Sequence, residues 1–277
     1  MPVRSRWLLL LWVLVLPACQ TSPILNESFP VTVAQSKAAI EQMVTDPRPL
    51  DRPVVVIGGF LDPGIVTAAV RYRLLSVSDE APIIPVAMFG VGSFDSCRLK
   101  VIEAVDRAVV SDDPAWTGEV DVVGFSLGGL VARYAASAPL ANEAAAPRDV
   151  PPARRLCIRR LFTIATPHRG ARMAELPTLD RLQIDMRPGS AFLQHLDGER
   201  AKAGYQLFAY ARLGDAIVGP ANAAPAGSHP WWVPNRPADL AHVGAYHDPR
   251  IIADIARRLR NEIPLTTEPP SPLPAPE

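Results

Sequence analysis

Neither sign of charge prevails in the chain: Lys and Arg together number 28 and Asp and Glu also 28, over 277 residues. With no net field to hold a polyanion, nucleic acid drops out as an expected partner. Cysteine is scarce, at three residues, and no Cys/His cluster has the spacing of metal ligands. A zinc site is therefore not expected, and no other metal or cofactor is called for. Long apolar runs are also missing. The run Trp7–Leu16 has ten residues, half of the roughly twenty that a helix needs to cross a bilayer. Disorder of the whole chain is excluded by 48% hydrophobic and 20% charged residues. What is abundant is proline, at 30, gathered at Pro147, Pro151 and Pro152 and six times between Pro264 and Pro276. Those stretches read as loop and as a Pro-rich disordered tail, 264–277, that should be dispensable.

The start has the order of a secretory signal: Arg4 and Arg6, the apolar run, then Pro17-Ala18-Cys19. Leu16-Pro17-Ala18-Cys19 resembles the bacterial lipobox, in which a small residue precedes a cysteine that is lipidated and becomes the mature N-terminus. Pro17 departs from that pattern, where a small or aliphatic residue is usual. The resemblance implies a signal over 1–18, a lipid anchor on Cys19 and a place in the bacterial cell envelope. Gln20 instead of Asp after the cysteine points to an outer-membrane lipoprotein facing the periplasm. Without lipidation the protein would be periplasmic or secreted. Cys97 and Cys157 then remain as an even pair in an oxidising compartment, and their spacing leaves open whether they bridge or pack as free thiols.

Residues 19–51 read as a linker followed by a short helix capped by Ser36. From 52 to 263 the pattern changes. Val54–Ile57 and Ile83–Met88 are continuous apolar runs, Leu99, Ile102, Val105 and Val109 recur at helical spacing, and Val120–Val123 is again strand-like. Helical composition from Leu127 to Ser137 leads to a strand over Arg160–Ala165, and a further strand fits Tyr205–Leu213. The last helix is well defined by Asp248 as cap, Pro249 at its first position, and an inner stripe of Ile251, Ile255 and Leu259. Strands alternating with helices predict an α/β domain, a mostly parallel sheet covered on both faces.

Val120–Val123 runs into Gly124-Phe125-Ser126-Leu127-Gly128, a G-x-S-x-G match at a strand-to-helix junction. Glycines let such a turn close tightly and hold the serine Oγ up at the carboxyl edge of the sheet. Ser126 is therefore the candidate nucleophile. A serine hydroxyl needs a base, and the base needs an acid that fixes its tautomer. In chain order the acid should be Asp215, after the Tyr205–Leu213 strand, and the base His242, just before the last helix. His247 competes for that role but adjoins the helix cap. His168 precedes the acid and reads as lining or structural. An oxyanion would need two donors already in place. The backbone N–H of Leu127 is one, and the loop Gly58-Gly59-Phe60-Leu61 after the first strand supplies the other at Phe60.

These residues resemble the α/β-hydrolase superfamily over roughly 52–262, in its lipase and esterase branch, which includes bacterial triacylglycerol lipases and GPI inositol-deacylase-like proteins. Thr166-Pro167-His168-Arg169-Gly170 is similar to the T-P-H-x-G segment of those lipases, and Asp185-Met186-Arg187-Pro188-Gly189-Ser190 to the segment ahead of their acid-bearing strand. The resemblance implies Ser126, Asp215 and His242 as a triad, with no calcium loop. Gly58-Gly59 stands where many secreted lipases carry His-Gly. A lid-like insertion over 170–204, with Leu176, Leu179 and Phe192 among its apolar residues, and Trp231-Trp232 would either line an acyl pocket or cover the sheet. The implied function is a serine ester hydrolase acting on lipid or other acyl esters. An acyltransferase or thioesterase with the same acyl-enzyme, or a non-catalytic hydrolase-fold lipoprotein, are the alternatives.

Overall fold

The computed structural model describes residues 24–79, 82–140, 154–235 and 239–274. The leader 1–18, Cys19 and the prolines at 147, 151 and 152 lie outside these. Six strands form one sheet: β1 (Val54–Ile57), β2 (Ile83–Val86), β3 (Val120–Phe125), β4 (Ile158–Ile164), β5 (Gln206–Arg212) and β6 (Trp231–Val233). Their order is β2-β1-β3-β4-β5-β6, and every neighbouring pair is parallel. The continuous β-branched run of β1 follows from burial on both faces, because successive side chains point to opposite sides. Val55 and Ile57 enter one core with side chains of α3 (Phe94–Ala108) and α4 (Leu127–Ala136). Val54 and Val56 enter the other with those of α1 (Val33–Thr45), α2 (Ile65–Val77) and α7 (Pro249–Leu259).

The chain leaves β1 for β2 on one side and returns to place β3 on the other. The crevice beyond the carboxyl ends of β1 and β3 is thus the switch point at which open α/β sheets bind ligands. α7 begins as the sequence indicates, with the Asp248 side chain accepting from the Arg250 N–H at 3.0 Å. α1 starts earlier than expected. Thr32 and Gln35 form a reciprocal capping box, while the Ser36 hydroxyl is buried and donates back to the Thr32 carbonyl.

The insertion contains a 3₁₀ turn (Arg172–Glu175), α5 (Arg181–Asp185) and α6 (Ala191–Glu199). Its apolar residues divide. Leu182, Met186, Phe192, Leu193 and Leu196 are buried, with Phe192 stacked on Phe94 at 3.9 Å, whereas Leu176 and Leu179 are exposed. Trp231 and Trp232 are not in a loop but form the edge strand β6, both buried. Cys97 and Cys157 are free thiols, and burial pushes the Cys97 thiol up to about 12. Among the described residues no helix is long and apolar enough to cross a membrane.

The expectation of a disordered tail needs correction for residues 264–274. Buried Asp254 in α7 accepts from the N–H and hydroxyl of Thr266, and Thr267 N–H donates to the Ser28 carbonyl. The indole N–H groups of Trp231 and Trp232 donate to the carbonyls of Thr267 and Pro272. Proline-rich composition offers no apolar periodicity, but its free carbonyls are acceptors, and the edge strand brings two indole donors to them. Ending the chain at Pro264 should therefore lower stability by at least about 2 kcal/mol, roughly 4–8 °C in Tm for a domain of this size. An unchanged melting temperature would show that these contacts contribute nothing net.

Candidate active site

The turn after β3 is built from contacts that exclude side chains. A Cβ on Gly124 would lie 2.6 Å from the Gly129 nitrogen, and one on Gly128 would lie 2.4 Å from the Ile57 carbonyl oxygen. The start of α4 is thus pressed against the end of β1, and Ser126 between them takes φ 52°, ψ −123°. Its N–H donates to the Ile164 carbonyl at 2.8 Å. Leu61 and Ala165 also have positive φ, at 57° and 50°. All three follow the carboxyl ends of adjacent strands, β1, β3 and β4. Non-glycine residues held there cost about 1–3 kcal/mol each and persist only where their surroundings over-determine them.

Three side chains far apart in sequence form one hydrogen-bonded line. Ser126 Oγ is 3.1 Å from His242 Nε2, and His242 Nδ1 is 2.8 Å from Asp215 Oδ2. Asp215 is 2% exposed and Ser126 and His242 each 8%, so the line is shielded, most deeply at the carboxylate. Asp215 sits just past β5, after Gly214 at φ 75°, and its Oδ1 accepts from the N–H groups of Ile217 and Val218 at 2.9 and 3.0 Å. Those bonds aim Oδ2 at the imidazole. A carboxylate can only accept, so Nδ1 carries the proton, and in the neutral ring Nε2 would face the serine with its lone pair. The Phe125 ring, 5.2 Å from the imidazole between centroids, packs on the histidine.

His242 lies in a helical turn, Ala241–Gly244, whose flanks are tied to β5. Buried Arg212 donates to Asp239 at 2.9 Å and lies 3.4 Å from Asp248, which also takes a two-pronged contact from Arg250. His247 is elsewhere: it is exposed, with its ring against Tyr246. His168 is buried beneath α4, where Arg133 donates to Nδ1 at 3.1 Å and Nε2 faces Thr163 Oγ1 at 3.0 Å. Burial first, then the charges of Arg133, Arg200 and Arg169, hold its imidazole well below the usual range. Arg133 also donates to the Leu196 carbonyl and to Asp197, so the Arg133–His168 pair ties α4 to β4 and α6.

Of the two candidate donors, Leu127 is the first residue of α4, where helix geometry leaves the backbone N–H without an intrahelical acceptor. Phe60 is half-buried in the loop after β1, which runs alongside the serine: a Cβ on Gly59 would lie 3.3 Å from the Ser126 Cβ. Two residues of the site's support, Asp62 and Arg212, are not among the candidates that the sequence singles out. Asp62-Pro63-Gly64 carried the composition of a turn, which was the available signal. Among the described residues no group of His, Cys, Asp and Glu could hold a metal ion.

No family model matches the chain, and no curated protein does. Solved structures do. Lipase B of Aspergillus fumigatus is 18% identical with a TM-score of 0.50, covering 77% of this chain, which spans about half (53%) of that lipase. The lipase BlEst2 of Bacillus licheniformis in its mature form is 13% identical with a TM-score of 0.46, over 80% of this chain and 94% of its own. At these identities what is shared is architecture, and by its sheet order and helices the chain has the α/β-hydrolase fold.

Proposed function

We propose that the protein is a serine ester hydrolase that cleaves lipid or other carboxylic acyl esters through an acyl-enzyme on Ser126. The observation that carries this reading is the line Ser126–His242–Asp215 at the strand-to-helix turn. In the reaction, His242 Nε2 takes the Oγ proton as Oγ attacks the ester carbonyl. The resulting oxyanion is held by the N–H groups of Phe60 and Leu127. The imidazolium, stabilised by Asp215, gives its proton to the departing alkoxide. Water then repeats the sequence on the acyl-enzyme and releases the acid. For the substrate class, the support is a set of exposed apolar side chains on loops that leave the same edge of the sheet: Leu61, Phe89, Leu176, Leu179 and Leu240. They offer an acyl chain apolar contacts at that edge.

A fluorophosphonate probe tests the reading without knowledge of the substrate. It should label the wild type at Ser126 and leave Ser126→Ala unlabelled. Absence of labelling in the folded wild type would reject the hydrolase assignment.

The envelope location belongs to the same proposal and rests on the lipobox-like segment at Cys19. Mass spectrometry of the mature protein should find Cys19 as the first residue, carrying diacylglycerol. Cys19→Ala should release the protein from membranes. A different N-terminus, or a variant still tightly bound, would refute the anchor.

A further inference from the structure

The oxyanion donor assigned to Phe60 has a problem of support. It lies in a tight turn, Gly59 to Asp62, closed by the Asp62 N–H donating to the Gly59 carbonyl at 3.1 Å. Leu61, third in that turn, has φ 57° while Phe60 does not have positive φ, which is the type II pattern and normally asks for glycine at the third position. A leucine side chain there is 52% exposed, so packing does not hold it. What holds the turn is Asp62. Its carboxylate is buried and accepts three backbone N–H groups: Gly64 and Val66 at Oδ1, 3.1 Å each, and Thr67 at Oδ2, 3.4 Å. Gly64, the residue before α2, has no side chain to cap the helix, so Asp62 caps it from two residues upstream. The Asp62 backbone carbonyl in turn accepts from Met88 and Phe89, at 3.1 and 3.0 Å, on the segment after β2. The fit to the chain leaving β1 is close: a Cβ on Gly58 would lie 2.3 Å from Asp62 Oδ2.

We infer that Asp62 is a positioning residue for the oxyanion donor: by pinning the turn to α2 and to the loop after β2, it holds Phe60 N–H at the serine against the strain at Leu61. Asp62 touches no reacting atom and moves no proton. The inference rests on the hydrolase reading, and it adds the element that keeps one of the two donors in place before substrate arrives.

The test compares an oxoester with the matching thionoester, whose sulfur anion is larger and a poorer hydrogen-bond acceptor, so that the preference for the oxoester reports on the donors. Losing one such donor costs about 10²–10³ in kcat. Asp62→Ala should therefore lower kcat for the oxoester by about a hundredfold with KM within about threefold, and shrink the oxoester preference in parallel. Asp62→Asn keeps the acceptor for Gly64 and Val66 but sets an NH₂ group against the Thr67 N–H, and should lower kcat by about three- to tenfold with the ester preference falling in parallel. Adding Leu61→Gly to Asp62→Ala removes the strain and should recover at least about tenfold. A merely structural aspartate would lower the folded fraction and leave the ester preference unchanged. That result, or a kcat within threefold of wild type for Asp62→Ala, would overturn the assignment. If Asp62→Ala does not fold, Asp62→Asn decides: an ester preference reduced threefold or more supports the role, and an unchanged one overturns it. Fluorophosphonate labelling of the wild type separates the two readings. Without it the hydrolase proposal fails, and with it a negative result in the variants fails Asp62 alone.

Discussion

Ser126→Ala and His242→Ala are each expected to lower turnover of a short-chain p-nitrophenyl ester by about a millionfold, and the double variant hardly further. The reason for the near-identity is the 3.1 Å contact between Ser126 Oγ and His242 Nε2. A serine hydroxyl that keeps its proton does not attack an ester at neutral pH, and a base with no hydroxyl to serve has no other task in acylation. Neither loss can therefore add much to the other. The acyl-enzyme burst should vanish in both variants, while the folded state survives because the site is a few side chains at the edge of a sheet whose core lies on its two faces. His247→Ala is the control. Its imidazole is exposed and set against Tyr246, so the variant should turn over like wild type. If His247→Ala were inactive and His242→Ala active, the base would be misassigned and the nucleophile would stand.

The sheet was legible because its strands are buried on both faces, which leaves continuous β-branched runs such as Val54–Ile57 with no competing helical period. The turn at Ser126 was legible for a different reason. Gly124 and Gly128 stand where backbone approaches within 3 Å of any Cβ, so the sequence records the geometry directly. The last helix was equally plain in Asp248 and Pro249. Other features were hidden because they depend on partners remote in sequence. Trp231 and Trp232 look like loop residues among prolines and glycines. They become a strand only because β5 offers them a free edge, with Tyr210 paired to Trp231. The tail reads as unable to bury a core, yet it is anchored by Asp254, Ser28 and the two indoles, none of which its own composition reveals. Arg212 is one charge among many in the sequence. Only the fold shows that it holds both flanks of the His242 turn, through Asp239 and Asp248.

Asp215→Asn should lower kcat by about ten-thousandfold and yet leave the protein folded, with residual activity about a hundredfold above that of Ser126→Ala. The argument turns on which atom of the amide faces which partner. In the wild type Oδ1 accepts from the N–H groups of Ile217 and Val218, and Oδ2 accepts from His242 Nδ1. An asparagine has one oxygen, and the two backbone donors claim it. Its NH₂ group then faces the imidazole, which can satisfy a donor only by presenting the Nδ1 lone pair. The ring proton moves to Nε2, and Nε2–H now points at Ser126 Oγ, where a lone pair is needed to take the hydroxyl proton. The base is present, correctly placed and in the wrong tautomer. The proposed oxyanion donors, the N–H groups of Leu127 and Phe60, remain in place and would account for the residual rate. Nitrogen NMR of the two histidine states makes the claim independent of kinetics: the proton should sit on Nδ1 of His242 in the wild type and on Nε2 in the variant. Activity within about tenfold of wild type, or an unmoved proton, would mean that Asp215 only packs beside the histidine.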